Sequence, residues 1–224
     1  MEDAYMFETV RVIGRGRAGS AVSQRLTERN LPVVERGGDL LVLCVPDNVI
    51  AAVAARLPVG PWIAHISGAT PLANLSPHVN RFSVHPLQTL TLARGSEQLD
   101  GAWGAVTGET SQAVTAATWL AEQLGLRPFP LADDQRVLYH AGAVMACNYL
   151  ATLHRAASRL LSEASVPREA LLPLIQRTID NDFELTGPIA RGDFGTVAAH
   201  RSAIEEHAPE LLPLYDALAK ATAQ

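Results

Sequence analysis

Residues 9–19 read Thr9-Val10-Arg11-Val12-Ile13-Gly14-Arg15-Gly16-Arg17-Ala18-Gly19, and this stretch decides the fold. Thr9 to Ile13 is rich in β-branched residues and predicts a strand. Ser20 to Arg29 has helical spacing, with Ala21, Val22 and Leu26 on one side. Between them Gly14, Gly16 and Gly19 fit G-x-G-x-x-G. In a strand–loop–helix unit each glycine has a task. The first makes the tight turn, the second lets backbone approach a pyrophosphate, and the third lets helix and strand pack closely. The helix N-terminus adds partial positive charge. Gly14, Gly16, Arg17, Ala18 and Gly19 are therefore candidate cofactor-binding residues; the alternative is a glycine-rich turn with no ligand. Arg17 either faces phosphate or is solvated, and Arg15 stands where a small residue is commoner.

Working outward, Leu40-Leu41-Val42-Leu43-Cys44-Val45 is a continuous apolar run, the pattern of a strand buried on both faces of a parallel sheet. A short helix over Asn48 to Leu57 follows, with Asp47 or Asn48 as its cap. Trp62 to Ile66, Arg81 to His85, Ala102 to Thr107 and Arg127 to Leu131 read as strands, and Ser111 to Leu124 as a helix. This alternation predicts an α/β domain with a mostly parallel, Rossmann-like sheet. From Gln135 to Val166 the pattern is long and helical. Helices over Arg168 to Thr178, Thr196 to Glu206 and Pro209 to Ala223 follow, separated by turn signals. The expected organisation is a dinucleotide-binding domain over 1–132 and an all-helical substrate or dimerisation domain over 133–224.

The interval from Gly14 to Asp39 is short. It holds one helix plus Leu31-Pro32-Val33-Val34-Glu35. Parallel neighbours need a crossover of roughly a dozen residues, which Arg36 to Asp39 cannot supply. Leu31 to Glu35 is thus an irregular edge segment or the approach to Leu40. The end of a second strand carries the acid that binds the adenosine ribose. Glu35 has the right spacing for that role and the wrong context, so the adenosine half of a cofactor is expected to be weakly held.

Hydrophobic residues make up 48% of the 224 and charged residues 18%, enough for a proper core. The net charge is −5, and no basic stretch carries interleaved aromatics, which argues against nucleic acid as a partner. No apolar run approaches the roughly 20 residues of a membrane span. The opening Met1-Glu2-Asp3-Ala4-Tyr5 is acidic and lacks the order of a signal peptide. Cys44 and Cys147 sit in apolar segments and read as core residues of a cytoplasmic protein. No metal-ligand spacing, nucleophile elbow or P-loop lysine is present in the sequence, so no metal is expected.

Four further segments carry a family likeness: Cys44-Val45-Pro46-Asp47, His85-Pro86-Leu87-Gln88-Thr89, Tyr139-His140-Ala141-Gly142-Ala143-Val144-Met145-Ala146-Cys147-Asn148-Tyr149, and Leu185-Thr186-Gly187-Pro188-Ile189-Ala190-Arg191-Gly192-Asp193. Together with the glycine loop, the likeness extends over nearly the whole chain. The arrangement resembles the 6-phosphogluconate dehydrogenase-like superfamily, whose members include ketopantoate reductase, pyrroline-5-carboxylate reductase and prephenate dehydrogenase. More narrowly, it resembles an uncharacterised family that joins a Rossmann-like domain to a helical C-terminal domain of unknown function. The resemblance implies a small-molecule oxidoreductase using NADP or NAD, and a homodimer formed through the helical domain. It also implies that Val45, Pro46, Asp47, Ser67 and Gly68 touch the nicotinamide half.

His140 and Asn148 are the leading catalytic candidates, on the first helix of the second domain. Their spacing forbids mutual contact but lets them flank a substrate. An imidazole near neutrality suits proton donation to a developing alkoxide or amine, and Asn148 suits orienting a carbonyl or imine. The alternative is a structural histidine and a buried or capping asparagine. Gly142 within the helix predicts a close approach by another backbone or a cofactor. His85 is a second acid or substrate ligand, or a turn residue before proline. Gln88 and Thr89 follow the same strand end and are substrate-binding candidates. Arg191 either binds a substrate carboxylate or pairs with Asp193 or Asp182. His65, His78, His154, His200 and His207 show no pattern. The reading is a reductase of small, carboxylated C=O or C=N compounds. Its alternatives are a non-catalytic ligand-binding protein with a degenerate dinucleotide site and an enzyme using the same cleft without nicotinamide.

Overall fold

The computed structural model describes residues 6–223; the acidic opening Met1 to Tyr5 lies outside the described residues, as does Gln224. The chain divides into two compact units between Val144 and Met145.

The first unit is built on six strands: β1 (Val10–Ile13), β2 (Leu40–Leu43), β3 (Trp62–His65), β4 (Arg81–Leu87), β5 (Trp103–Gly108) and β6 (Arg127–Pro130). They form one sheet in chain order. Every neighbouring pair is parallel except β4 and β5, which run antiparallel with Val84 opposite Val106. The expected mostly parallel, Rossmann-like sheet is present. The unbroken apolar run of β2 has a simple cause. Leu40 and Val42 join the core on one face with Val22, Leu26, Phe82 and Val106, while Leu41 and Leu43 join Ile50, Ile63 and Leu72 on the other. Both faces are covered, so alternation disappears.

Three helices pack in this unit before the last: α1 (Arg17–Glu28), α2 (Ile50–Ala54) and α3 (Ser111–Gln123). The helix expected over 48–57 is shorter, a 3-10 turn at Asp47–Val49 leading into α2. The expected cap is absent there, because Asp47 Oδ2 accepts a hydrogen bond from Ser67 Oγ at 2.7 Å instead. Helix α3 buries Ala113, Ala116, Ala117, Leu120 and Ala121, small residues that let its backbone lie close to the sheet. The unit ends with α4 (Arg136–Val144).

The short interval resolves as an edge contact. Val33 makes one parallel bridge to Val10, with Val10 N–H donating to the Pro32 carbonyl and Val34 N–H to the Val10 carbonyl, both at 2.9 Å. The chain then crosses from that side of β1 to β2 on the other side. Gly37 and Gly38 turn it with φ of +71° and +104°, and Asp39 anchors it by accepting from Thr9 N–H at 2.9 Å. This reversal of direction about β1 is a topological switch point, where ligands of open α/β sheets bind.

The second unit holds a π-helical turn at Met145–Tyr149, then α5 (Leu150–Glu163), α6 (Leu171–Asp180), α7 (Phe194–His207) and α8 (Leu212–Thr222). Asp193 caps α7 by accepting from Thr196 N–H at 3.0 Å. Arg201 grips Asp216 through two bonds of 2.7 and 2.9 Å, joining α7 to α8. Among the described residues of this unit, only Leu171, Ile204 and Ala208 are buried apolar side chains, while Leu174, Phe183, Leu185 and Phe194 are exposed. No helix among the described residues is long and apolar enough to cross a membrane.

Thr110 Oγ1 caps α3 by accepting from Ala113 N–H at 3.1 Å. Thr110→Ala leaves that amide without a side-chain partner and is expected to lower stability by about 1 kcal/mol, read as a shifted urea midpoint with an unchanged slope.

Candidate functional site

At the carboxyl end of β1 the three glycines answer to different constraints. Gly14 adopts φ +119°, and a Cβ there would fall on the Cys44 carbonyl at the end of β2. A Cβ on Gly19 would fall on the Gly14 carbonyl. Those two glycines are required by the protein's own packing. Gly16 is not: its φ of −76° suits any residue, and a Cβ there would meet nothing within 4 Å. Gly16 is the N-cap of α1 with no side-chain capping bond, and no acidic residue stands in the first turn. The amides at the start of α1 therefore face open space with partial positive charge. This cradle fits a pyrophosphate.

Beside the cradle, Arg15 lies 3.5 Å from Glu35, both side chains about nine-tenths exposed (92% and 89%). A pair so exposed contributes little to stability.

The next strand ends converge on Ser67. Its hydroxyl donates to Asp47 at 2.7 Å and accepts from the amides of Ala69 and Thr70 at 3.2 and 3.0 Å. Its amide donates to His65 Nδ1 at 3.2 Å. Its carbonyl accepts from the guanidinium of Arg136, which also donates to Thr107 Oγ1 at 2.9 Å. Arg136 is fully buried on the first turn of α4, with Asp133 at 3.9 Å as its ion partner. Every polar atom of Ser67 is thus engaged, and the Ser67–Gly68 turn is fixed before any ligand arrives.

Gly68 brings two histidines to one point. A Cβ there would lie 2.6 Å from His140 Cδ2 and 2.9 Å from His85 Nε2. The two rings stand 5.8 Å apart, edge to face. His85 Nδ1 meets the Tyr139 hydroxyl at 2.7 Å. Burial, helped by the positive charge of His140 and Arg136, pushes the His85 pKa down to about 4, with Asp47 pulling the other way. Burial and Arg136 push His65 down to about 3. Burial raises the Tyr139 phenol to about 12 and the Cys44 thiol to about 12. At neutral pH His65 and His85 are uncharged and Tyr139 keeps its phenol proton, beside the buried cation of Arg136.

The structure thus brings together His85, His140, Ser67, Gly68 and Asp47. Gln88 and Thr89 are exposed beyond β4, and Gln88 Oε1 accepts from Thr89 N–H at 2.9 Å. Asn148, in the second unit, lies in the π turn and accepts from the Cys147 thiol at 3.4 Å. Cys147 is half-buried rather than a core residue. Arg191 is exposed and makes no ion pair within 4 Å among the described residues; Asp193, one of its two expected partners, bonds to Thr196, and the Arg191 charge reaches it only from a distance. No other backbone comes close to Gly142: a Cβ there would meet nothing within 4 Å among the described residues. Sequence reasoning passed over Arg136, Tyr139, His65 and Thr107. Only Tyr139 left a signal, as the first residue of the segment that contains His140.

Residues 102–222, more than half of the chain, match the family described as a domain of unknown function, DUF2520. The chain belongs to that family. A proposed NADP oxidoreductase from Bacteroides fragilis has a TM-score of 0.83 at 19% identity, covering 96% of this chain and 98% of that one. A protein of Thermotoga maritima gives 0.73 at 21% identity, with 96% and 98% covered. The 1-pyrroline-5-carboxylate reductase of Streptococcus pyogenes gives 0.61 at 15%, with 96% of each chain covered. At these identities the likeness is one of fold, and this member of the DUF2520 family shares it over nearly its whole length. No curated protein matches the sequence.

Buried His65 and half-buried His85 generate a pH dependence of stability. Folded, they stay neutral down to about pH 4 and 3; unfolded, they take a proton near the ordinary 6.5. The unfolded chain binds more protons below pH 6.5, so stability falls as pH drops from there toward 4. Each histidine contributes up to about 1.4 kcal/mol per pH unit. Urea midpoints are expected to decline between pH 7 and 5, and His65→Gln to flatten the decline. A wild-type midpoint constant over that range would contradict the neutral assignment.

Proposed function

We propose that the protein is an NAD(P)-dependent oxidoreductase that reduces a small C=O or C=N compound carrying a carboxylate. The observation that carries this reading is Gly16, a glycine demanded by neither backbone strain nor neighbouring atoms, at the bare N-terminus of α1 and at the switch point of the sheet. Gly14, Gly16, Arg17, Ala18 and Gly19 would hold the pyrophosphate. Val45, Pro46, Asp47, Ser67 and Gly68 would flank the nicotinamide, which supplies the hydride when bound.

The chain's own groups fit the other half of a reduction. As negative charge develops on the substrate heteroatom, His140 and His85 offer ring protons beside Gly68. The Arg136 charge behind them favours an oxyanion over a cation. Gln88 and Thr89 lie past the end of the strand that carries His85 and are assigned to substrate. In the second unit, Asn148 is assigned to orienting a carbonyl or imine and Arg191 to a carboxylate. The exposed apolar helices of that unit support a homodimer, and the two free cysteines suit a reducing cytoplasm.

The edge segment favours a second reading, a ligand-binding protein with a degenerate dinucleotide site. Leu31 to Glu35 contributes a single bridge to the sheet, and Glu35 faces Arg15. Titration with NADH and NADPH separates the two, followed by the fluorescence of Trp62, Trp103 and Trp119. Micromolar binding is expected from a held pyrophosphate with a weakly held adenosine. Gly16→Ala is expected to weaken it at least about tenfold while costing at most about 1 kcal/mol of stability. Absence of binding at millimolar concentration would favour the degenerate site. Once a substrate is found, His140→Ala should reduce kcat by about a hundredfold or more with little change in thermal midpoint; equal losses in both would make His140 structural.

A further inference from the structure

His85 is held from one side only. Its Nδ1 meets the Tyr139 hydroxyl at 2.7 Å, with the rings edge to face at 5.5 Å. Its Nε2 has no hydrogen-bond partner among the described residues and borders the space left by Gly68. The charged or titratable groups around the ring are Tyr139, His140 and Arg136 from α4, His65 from β3 and Asp47 after β2, and among the described residues only Tyr139 bonds to it. A neutral imidazole carries one proton on one of two nitrogens. Either Tyr139 donates to Nδ1 and the ring proton sits on Nε2, or Nδ1–H donates to the phenol oxygen and Nε2 is a bare lone pair.

Acid strength decides between them. A phenol is a stronger acid than the N–H of a neutral imidazole, and an imidazole nitrogen is a stronger base than a phenol oxygen. The hydroxyl also has no other acceptor among the described residues for its proton. Donation from Tyr139 to Nδ1 satisfies both groups.

We propose that Tyr139 is a positioning residue that fixes His85 as the Nε2–H tautomer, making that N–H, at the Gly68 gap, the proton donor to the substrate's carbonyl oxygen or imine nitrogen. This rests on the reductase reading. A bound reduced nicotinamide would supply the hydride to the substrate carbon; as the π pair moves to the heteroatom, that atom would bond the Nε2 proton. The N–H pair stays on the ring, Nδ1 takes the Tyr139 proton, and water reprotonates the phenolate. His140 then borders the gap as a hydrogen-bond group and need not be the acid.

The test uses the full, ligand-free chain labelled with 15N, by long-range 1H–15N correlation at neutral pH. The His85 signals are assigned by their loss in His85→Gln. A pyrrole-type Nε2 and a pyridine-type Nδ1 are expected. In Tyr139→Phe, with folding verified by its thermal midpoint, the ratio of Nδ1–H to Nε2–H tautomer is expected to rise about fivefold, the equivalent of one lost hydrogen bond. A wild-type Nδ1–H, or an unchanged ratio in folded Tyr139→Phe, would overturn the proposal; if that variant does not fold, the wild-type spectrum decides alone. The NADH and NADPH titration fails or succeeds independently. A bound dinucleotide with the wrong tautomer removes Tyr139 from the mechanism and leaves the reductase reading standing.

Discussion

The guanidinium of Arg136 joins three parts of the first unit that are far apart in sequence. It stands on the first turn of α4, donates to the Ser67 carbonyl after β3, and donates to Thr107 on β5. Burying a cation is unfavourable, and a cation at a helix N-terminus opposes the macrodipole. Its one ion partner, Asp133, is 3.9 Å away and also accepts from the Leu72 amide at 3.0 Å. Its Nε, the atom nearest Asp133, has no hydrogen-bond partner among the described residues. The arrangement is poor as a source of stability and effective as a source of order. It anchors the helix that carries Tyr139 and His140 against the turn that carries Gly68, and so fixes the spacing of those groups.

The same charge shapes the electrostatics of the cleft. It acts with burial to hold His65 and His85 uncharged. The carboxylates that face it, Asp133 and Asp47, are each committed to other groups, Leu72 N–H and the Ser67 hydroxyl. In the proposed reaction, a carbonyl beside Gly68 would meet the neutral imidazole of His85 with the Arg136 guanidinium behind it. That cation would matter little while the oxygen is uncharged and more as charge builds on it, which is the condition for selective stabilisation of a transition state.

Much of the fold was legible because it rests on local rules. The G-x-G-x-x-G turn, the two-faced apolar run of Leu40 to Leu43 and the helical periodicity after Gln135 each express one constraint over a short window. The spacing argument against a regular strand at Leu31 to Glu35 also agrees with the single Val10–Val33 bridge. The site was legible only in part. His85 and His140 stood in recognisable segments. Arg136 at a helix start reads as a solvated charge, and His65 looks patternless within an apolar strand. Their roles come from partners 29 to 69 residues away in the case of Arg136, which no local pattern encodes. Asp47 misled for the same reason: a residue placed to cap its own helix is claimed by Ser67, 20 residues on.

The three glycines of the loop show how to separate a fold requirement from a ligand requirement. Gly14 and Gly19 are explained completely by the Cys44 and Gly14 carbonyls they approach, and would be needed in a protein that bound nothing. Gly16 has no such explanation. Glycine is among the residues favoured at an N-cap, and the open space at Gly16 leaves room for the pyrophosphate of the proposed cofactor. The departures elsewhere are a one-residue edge bridge and an exposed Glu35. In the proposed complex they would lie on the adenosine side, and a cofactor held chiefly by its pyrophosphate would accommodate both observations.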